Sequence, residues 1–542
     1  MIKYLIFITS CLLAFSTYAQ SDLDIVIDIE TKYQKVEGFG AALAYYENWL
    51  IAHPNKSEIY DAIFGELSLD ILRVRNAYDY DPTMIDRVVE FYNAAENSLG
   101  QPIKILSTSW GPPAYLKSNN DRKNGGSLKY NVNESIVEFD YAGFANWWNE
   151  SLDEYNENGV YPDYISIQNE PDFDATWESC LFTPTETVNA TDTIAGYNKA
   201  LEAIYNIVEQ RDVRPKIIGP ESIGIGYNSV QNYVNALKTS YIYGIAHHLY
   251  HGVDENNPWV STSFSEVGSL HPEMPHFQTE FGRGDWFALA GLMHKSFSDE
   301  NVAAYLYWDL VWDGSGLINI ESPWDQSLWT TENGYIKTKE FYAFKQYSAF
   351  IHPNWIRINS SNVDENIKTL AFINQSSDSI TMIMVNRSET ENINVSVSIN
   401  DFNFNQATVY RTSESEDCSY VGVFGNSDIT LPKKSITTVQ LTTGDVMNIE
   451  GVNHSLNRVI IYPNPVSEYA TIKLPKNKTE YDFVSFIDVR GRVVIKQRVT
   501  DVINQKQELT INCSELTAGL YYCKIESIDG ESFIGKFIVT KD

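Results

Sequence analysis

The sequence predicts an α/β chain: a (β/α)8 TIM barrel with an associated all-β side sandwich, and a further β-sandwich at the C-terminus. Three observations predict it. Between residues 36 and 312, short β-branched or aromatic runs alternate with longer stretches of helical periodicity; after about Phe350 only strand-like alternation remains; and a third all-strand block runs from residue 459 to 542.

The barrel strands are expected at residues 36–42, 69–76, 103–110, 164–170, 216–222, 244–250, 276–281 and 304–312. Between them lie amphipathic segments such as 136–158, where Phe144, Trp147, Trp148, Leu152 and Tyr155 recur at three- and four-residue steps and place both tryptophans in the core. Several strands end on polar or aromatic residues followed by turn formers: Trp110-Gly111-Pro112-Pro113, Asn169-Glu170-Pro171 and Glu280-Phe281-Gly282. In such a barrel, function gathers at those carboxyl ends. The side sandwich is read from alternating runs at 369–373, 380–386, 395–399, 407–411 and 435–442, which the segment 22–35 could join by crossing over before the barrel begins. The expected organisation is a signal peptide at 1–19, an N-terminal strand segment at 20–35, the barrel at 36–348, the side sandwich at 349–445, a linker at 446–457 and the last domain at 458–542.

The first residues justify the signal peptide. Lys3 precedes an apolar stretch from Tyr4 to Phe15, too short for a membrane span, and the small residues Thr17 and Ala19 precede Gln20 as a signal peptidase requires. Cys11 lies in this segment; Cys180, Cys418, Cys513 and Cys523 fit no zinc spacing, and Cys513 and Cys523 are read as a disulfide or as two buried thiols. A formal charge of -31 argues against nucleic acid and anionic membranes as partners, since phosphate would be repelled. A neutral ligand is expected instead. Aromatic residues make up 13% of the chain, and flat rings suit the CH faces of sugars, although a Trp-rich core would give the same composition.

Two acids stand out. Hydrolysis of a glycosidic bond with retention needs one protonated carboxyl to assist the leaving oxygen and one carboxylate to attack the anomeric carbon, roughly 5 to 5.5 Å apart. Glu170 at the end of the fourth strand and Glu280 at the end of the seventh meet that need if the barrel closes, Glu170 as general acid/base and Glu280 as nucleophile. Asn169 is placed to bond the sugar 2-hydroxyl. Arg73 and Tyr250 are expected to hold Glu280 ionised, with a structural ion pair as the other reading of Arg73; burial and the charge of Glu280 would keep Glu170 protonated. Trp308 and Trp110 are candidate sugar platforms.

On these residues the chain resembles glycoside hydrolase family 30, whose two catalytic glutamates end strands four and seven. The motifs that carry the resemblance are Gly38-Phe39-Gly40-Ala41-Ala42, Ser109-Trp110-Gly111-Pro112-Pro113, Ile165-Ser166-Ile167-Gln168-Asn169-Glu170-Pro171, His247-His248-Leu249-Tyr250 and Gln278-Thr279-Glu280-Phe281. The resemblance implies a retaining enzyme with His248 among the supporting residues, needing no metal or organic cofactor and working as a monomer. Trp177 to Pro184 and Tyr305 to Leu310 look like the xylanase branches, which implies an endo-β-1,4-xylanase. The alternatives are a β-1,6-glucanase, a β-xylosidase, a glucosylceramidase-like hydrolase, or a non-catalytic glycan-binding surface protein. Glucuronate-dependent members carry an arginine in the loop after strand eight, whereas residues 312–336 hold no Lys or Arg but do hold Asp313, Glu321, Asp325 and Glu332. A neutral or arabinose-decorated xylan is therefore expected. The last block resembles the type IX secretion sorting domain through Ile461-Tyr462-Pro463-Asn464-Pro465-Val466, Asp488-Val489-Arg490-Gly491-Arg492 and Leu516-Thr517-Ala518-Gly519-Leu520-Tyr521, with a carbohydrate-binding sandwich as the other reading. It implies engagement of that secretion machinery by residues 458–542 and a place outside the cell or on its surface.

Overall fold

The computed structural model describes residues 23–361, 364–400, 402–404, 406–424, 428–443, 459–462, 466–473, 481–488, 493–499, 508–514, 516–517, 519–527 and 532–540. The expected signal peptide, the linker and parts of the C-terminal motifs (Pro463 to Pro465, Val489 to Arg492, Ala518) lie outside the described residues.

Eight parallel strands close into a barrel in sequence order: β1 (Gly38–Ala42), β2 (Ile71–Arg75), β3 (Lys104–Thr108), β4 (Tyr164–Ser166), β5 (Lys216–Ser222), β6 (Gly244–His248), β7 (His276–Glu280) and β8 (Val302–Tyr307). The interior is a plug of side chains, with Ile71, Leu106, Tyr164, Ile218, Ala246, Phe277, Ala304 and Leu306 all buried against one another. β1 supplies Gly40 instead, because a Cβ there would meet the Ile71 carbonyl oxygen at 2.4 Å.

Most strands end earlier than the apolar pattern suggests. β4 stops at Ser166 rather than at Glu170, and Glu170, beyond its end, takes a left-handed φ of 43°. β8 runs from Val302 to Tyr307, and Val311–Trp312 leaves the barrel to pair with Ile318–Ile320 in a small three-stranded sheet. The segment read as one helix from 136 opens with a hairpin strand, Ile136–Phe139; the helix is Tyr141–Glu157, started by Asp140, whose carboxylate accepts the Gly143 amide at 2.8 Å. Trp147 and Trp148 lie on its inner face, 2% and 1% exposed, and their indole N–H groups donate to Tyr78 O and Ile167 O.

A nine-stranded sheet follows the barrel and folds over its own apolar core. Leu23–Lys35 lies within it, antiparallel to Ile356–Ser360 and parallel to Ile393–Asn400. The helix Lys339–Ser348 joins the two units. Phe344 and Tyr347 contact Phe39 under the barrel, while Gln346 donates to Thr412 Oγ1 at 2.9 Å and accepts from Thr438 Oγ1 on the sheet. Sheet residues Leu370, Phe372, Ile383, Val385 and Ile436 belong to the same continuous core as the barrel helices, so the sandwich braces the barrel. The C-terminal block is separate in its packing: a three-stranded and a four-stranded sheet share a core of their own. Cys513 and Cys523 are both buried there and are not joined in a disulfide, and Cys180 and Cys418 in the other domains are likewise buried and unbridged. Among the described residues no helix is long and apolar enough to cross a membrane.

Candidate active site

After β4 the chain is pinned by short bonds. The Asn169 amide donates to Ser109 O at 2.7 Å, Gln168 Nε2 donates to the carbonyls of Trp110 and Asn169 at 2.8 Å each, and the Glu170 amide donates to Glu221 O at 3.0 Å. These bonds hold Glu170 in its left-handed conformation, which costs on the order of 1 kcal/mol or more for a residue with a Cβ. The side chain is turned into the barrel mouth, 6% exposed. On the far side, β7 delivers Glu280, 5% exposed. The turn beyond it requires Gly282, where a Cβ would stand 1.6 Å from Trp308 O, and this close approach sets the backbone of the β8 exit against that of β7.

The two carboxyl groups meet. One oxygen of each, together with a ring nitrogen of His248, lie within 4.8 Å of one another. Arg73, fully buried on β2, holds the group together. Its Nη1 donates to Glu280 Oε2 at 2.6 Å, and its Nη2 donates to Asn169 Oδ1 at 2.7 Å and to Glu221 Oε2 at 3.3 Å. Tyr250 Oη donates to the other Glu280 oxygen at 3.0 Å. Among the described residues no cation bonds Glu170, and its carboxyl meets only His248 Nδ1, at 3.0 Å.

Three buried carboxyls thus face one guanidinium, and they cannot all carry charge. Burial pushes the Glu170 carboxyl up to about 8, helped by the negative charges of Asp172 and Glu221 and opposed by Arg73 and His251. Burial also raises Glu280, and Glu170 adds to this, while His248 and Arg73 pull it down. Glu221 is held below its ordinary value: burial works against the charge, but Arg73, His248 and hydrogen bonds from Ser166 and Thr279 together outweigh it. The proton therefore belongs on Glu170, and the shared guanidinium and the Tyr250 hydroxyl favour charge on Glu280. His248 is kept neutral by burial. A neutral imidazole protonated on Nε2 accepts a hydrogen bond from a protonated Glu170 at Nδ1, and the other tautomer donates one to the carboxylate, so a change of tautomer lets it match both charge states of Glu170.

Glu170, His248 and Glu280 also form the one cluster among the described residues with enough close donor atoms for a metal ion. The donors fit poorly, because Glu280 Oε2 already receives the Arg73 guanidinium at 2.6 Å and a cation would have to share that oxygen with a fixed positive charge.

Arg73, Asn169, His248 and Tyr250 all touch the carboxyl pair or its partners, and Trp308 is half-buried beside them. Trp110 is a correction. It is 2% exposed and the Arg73 guanidinium lies over its ring at 4.3 Å, so it supports the cation and offers no open face to a sugar. The residues not anticipated are Glu221 and Asp172, and a rim of charges in which Arg75 joins Glu47 at 3.0 Å and Glu178 at 3.2 Å while Arg122 binds Glu178 at 3.0 Å. The acid at the end of β5, within Gly219-Pro220-Glu221-Ser222, was the one available signal for Glu221.

Residues 87–298 match the glycosyl hydrolase family 30 TIM-barrel domain and residues 356–439 match that family's β-sandwich domain. Residues 460–540 match the secretion system C-terminal sorting domain, which marks the chain for type IX export to the cell surface or beyond. A putative glucosylceramidase 1 from Caenorhabditis elegans is 22% identical over 67% of this chain and 76% of its own length. The endo-1,6-β-D-glucanase neg1 from Aspergillus fumigatus is 24% identical over 49% of this chain and 54% of its own length. The family 30 subfamily 8 xylanase Xyn30A from Clostridium acetobutylicum superposes with a TM-score of 0.60 at 22% identity, covering 77% of this chain and 99% of that one. With its barrel and its sandwich both matched, this chain belongs to glycoside hydrolase family 30 and carries a secretion sorting domain behind those two units.

Proposed function

We propose that the chain is a retaining endo-β-1,4-xylanase in which Glu170 is the general acid/base and Glu280 the nucleophile. The observation that carries the mechanism is the approach of the two carboxyls, with one oxygen of each inside 4.8 Å; a retaining pair stands roughly 5 to 5.5 Å apart, whereas an inverting pair needs roughly 6.5 to 9.5 Å to admit water. In the first step the Glu280 carboxylate attacks the anomeric carbon while Glu170 protonates the departing glycosidic oxygen. A covalent glycosyl-enzyme forms and Glu170 is left ionised. In the second step Glu170 takes a proton from water, which attacks the same carbon and releases Glu280.

The supporting residues divide the work. Arg73 and Tyr250 hold Glu280 charged and oriented until it attacks. Asn169 gives its amide oxygen to Arg73, which leaves its NH2 group to donate to the sugar 2-hydroxyl. His248 follows the proton on Glu170, and Trp308 stacks on the sugar ring. The xylan assignment is supported by the fold shared with the Clostridium acetobutylicum xylanase and by the uncharged or acidic character of residues 312–336, which favours a neutral polymer. The names of the other relatives make β-1,6-glucan and glucosylceramide the competing substrates. A leader at residues 1–19 and a sorting domain that is removed or anchored after export complete the proposal. A glycan-binding surface protein without turnover would not need two facing acids of opposed ionisation.

Two experiments test this reading. Chromatography of the products from glucuronoxylan, arabinoxylan and β-1,6-glucan should show mixed xylo-oligosaccharides from the xylans alone; inertness toward both xylans refutes the substrate. Glu170→Ala should lose about 10²- to 10⁴-fold in kcat/KM on xylan, the usual size of a general-acid contribution, and far less on a dinitrophenyl glycoside whose leaving group needs no proton. Equal losses on both would remove Glu170 from its role.

A further inference from the structure

A string of aromatic rings leaves the catalytic pair and ends in the open. Trp308, at the exit of β8, lies 5.9 Å from Trp312, which lies 4.5 Å from Tyr46, and Tyr46 lies 5.4 Å from Trp49. Trp49 sits in the short helix Glu47–Ala52 after β1, and its ring meets Trp324, from the loop after β8, edge to face at 5.3 Å and 89°. These last two are open to solvent, Trp49 at 38% and Trp324 at 62%. Trp329, from the same loop, shows what a structural tryptophan looks like here: it stacks on His53 at 5.3 Å with its indole N–H donated to Ser322 O at 2.8 Å. Trp324 makes a ring contact with Trp49 alone, so the chain leaves a large apolar face exposed at the edge of its cleft, the mark of a binding surface.

The charges around it narrow the ligand. Residues 312–336 hold Asp313, Glu321, Asp325 and Glu332 and no Lys or Arg; the nearby Glu47 is paired with Arg75. An anionic group would be repelled, whereas the CH face of an uncharged sugar ring suits two indoles. The loop after β4 carries a second aromatic pair. Phe173 and Trp177, in the loop after β4, lie 5.9 Å apart with Trp177 48% exposed, and β4 stands across the ring from β8.

We infer that Trp49 and Trp324 form a sugar-binding shelf outside the catalytic pocket, which takes an uncharged stretch of a β-linked polysaccharide continuing past the cleaved unit. The inference rests on the glycosidase reading of Glu170 and Glu280 but not on the identity of the sugar.

The test uses the full chain with Trp324→Ala, Trp49→Ala and the double substitution, all at exposed positions, and Trp324→Phe as the conservative control. On whichever of arabinoxylan, glucuronoxylan and β-1,6-glucan the wild type cleaves, KM should rise about tenfold in the double variant, as loss of a stacking contact would give. kcat/KM on a nitrophenyl monosaccharide should stay within twofold, and Trp324→Phe should restore most of the polymer affinity. Retardation of the same variants in gels containing those three polymers, read in the Glu280→Gln background, reports binding without turnover. Unchanged polymer KM and retardation in the double variant would overturn the shelf, as would a parallel loss on the small substrate. A wild type that cleaves β-1,6-glucan and no xylan would refute the xylan assignment while leaving the shelf to stand or fall on its own split.

Discussion

The carboxyl ends of β4 and β7 present the same side chain in opposite surroundings. Glu280 receives a guanidinium at 2.6 Å and a phenol at 3.0 Å, while Glu170, equally buried, has an imidazole at 3.0 Å and two further acids near it. Burial raises both; Arg73 works against the rise at each, but only Glu280 also receives the guanidinium directly and a phenol on its other oxygen. The lesson is that placement on the barrel does not separate an acid from a nucleophile. Roles are set by which strand ends supply the neighbours: Arg73 from β2 and Tyr250 from beyond β6 for the one, Asp172 and the end of β5 for the other.

The comparison breaks most sharply at Glu280. Glu280→Gln keeps the shape and removes the nucleophile, so kcat on any glycoside should fall about 10⁴-fold or more, while polysaccharide binding in a gel persists. A variant that kept a tenth of the wild-type rate would place the nucleophile elsewhere.

Arg73→Lys should come next. A lysine cannot bond Glu280, Asn169 and Glu221 at once, and the loss of one preorganised charge partner is expected to lower kcat/KM by about 10²- to 10³-fold. The sign on pH is also set. Without the 2.6 Å bond from the guanidinium, Glu280 holds its proton to higher pH, so the acid limb of kcat/KM should move upward. Since Arg73 also neutralises Glu221 in the interior, thermal unfolding measured alongside would show a lowered Tm. An acid limb that does not move would mean Arg73 acts on the fold alone.

Sequence reasoning picked out two acids that the fold brings together, and missed half of what distinguishes their surroundings. The eight strands were legible because each short run of β-branched and aromatic residues is followed by a helical period, and Glu170 and Glu280 because each stands at such a boundary beside a turn former. Arg73 and Tyr250 follow from the same logic. Glu221 did not, although its strand was read correctly. A register irregularity between Pro220 and Ser222, with a left-handed φ of 59° at Glu221, swings that side chain to the barrel mouth, and alternation along a strand cannot foresee it. Trp110 was misread for a related reason. A tryptophan at a strand end looks like a sugar platform until the neighbouring strand lays Arg73 across it. The Arg75, Glu47, Glu178 and Arg122 chain joins three loops distant in sequence, and no local pattern announces it.

The smallest change sharpens the comparison at Glu170. Asp172 opens onto the cleft, and its Oδ1 accepts the Ile223 amide at 2.9 Å. Asp172→Asn keeps that acceptor and removes one negative charge. A nearby like charge is among the causes that push Glu170 up to about 8, second to burial. In its proposed role Glu170 works as an acid only while protonated, so kcat/KM on the cleaved polysaccharide should fall as pH rises through about 8, and in the Asp172→Asn enzyme that alkaline limb should move to lower pH by a fraction of a unit. At pH 6 the two enzymes should be nearly equal, because Glu170 is protonated in both. The Glu170→Ala enzyme, assayed on a dinitrophenyl glycoside, should lack the limb altogether. An alkaline limb that survives in Glu170→Ala would assign it to another group, and the asymmetry between the two strand ends would then need a different account.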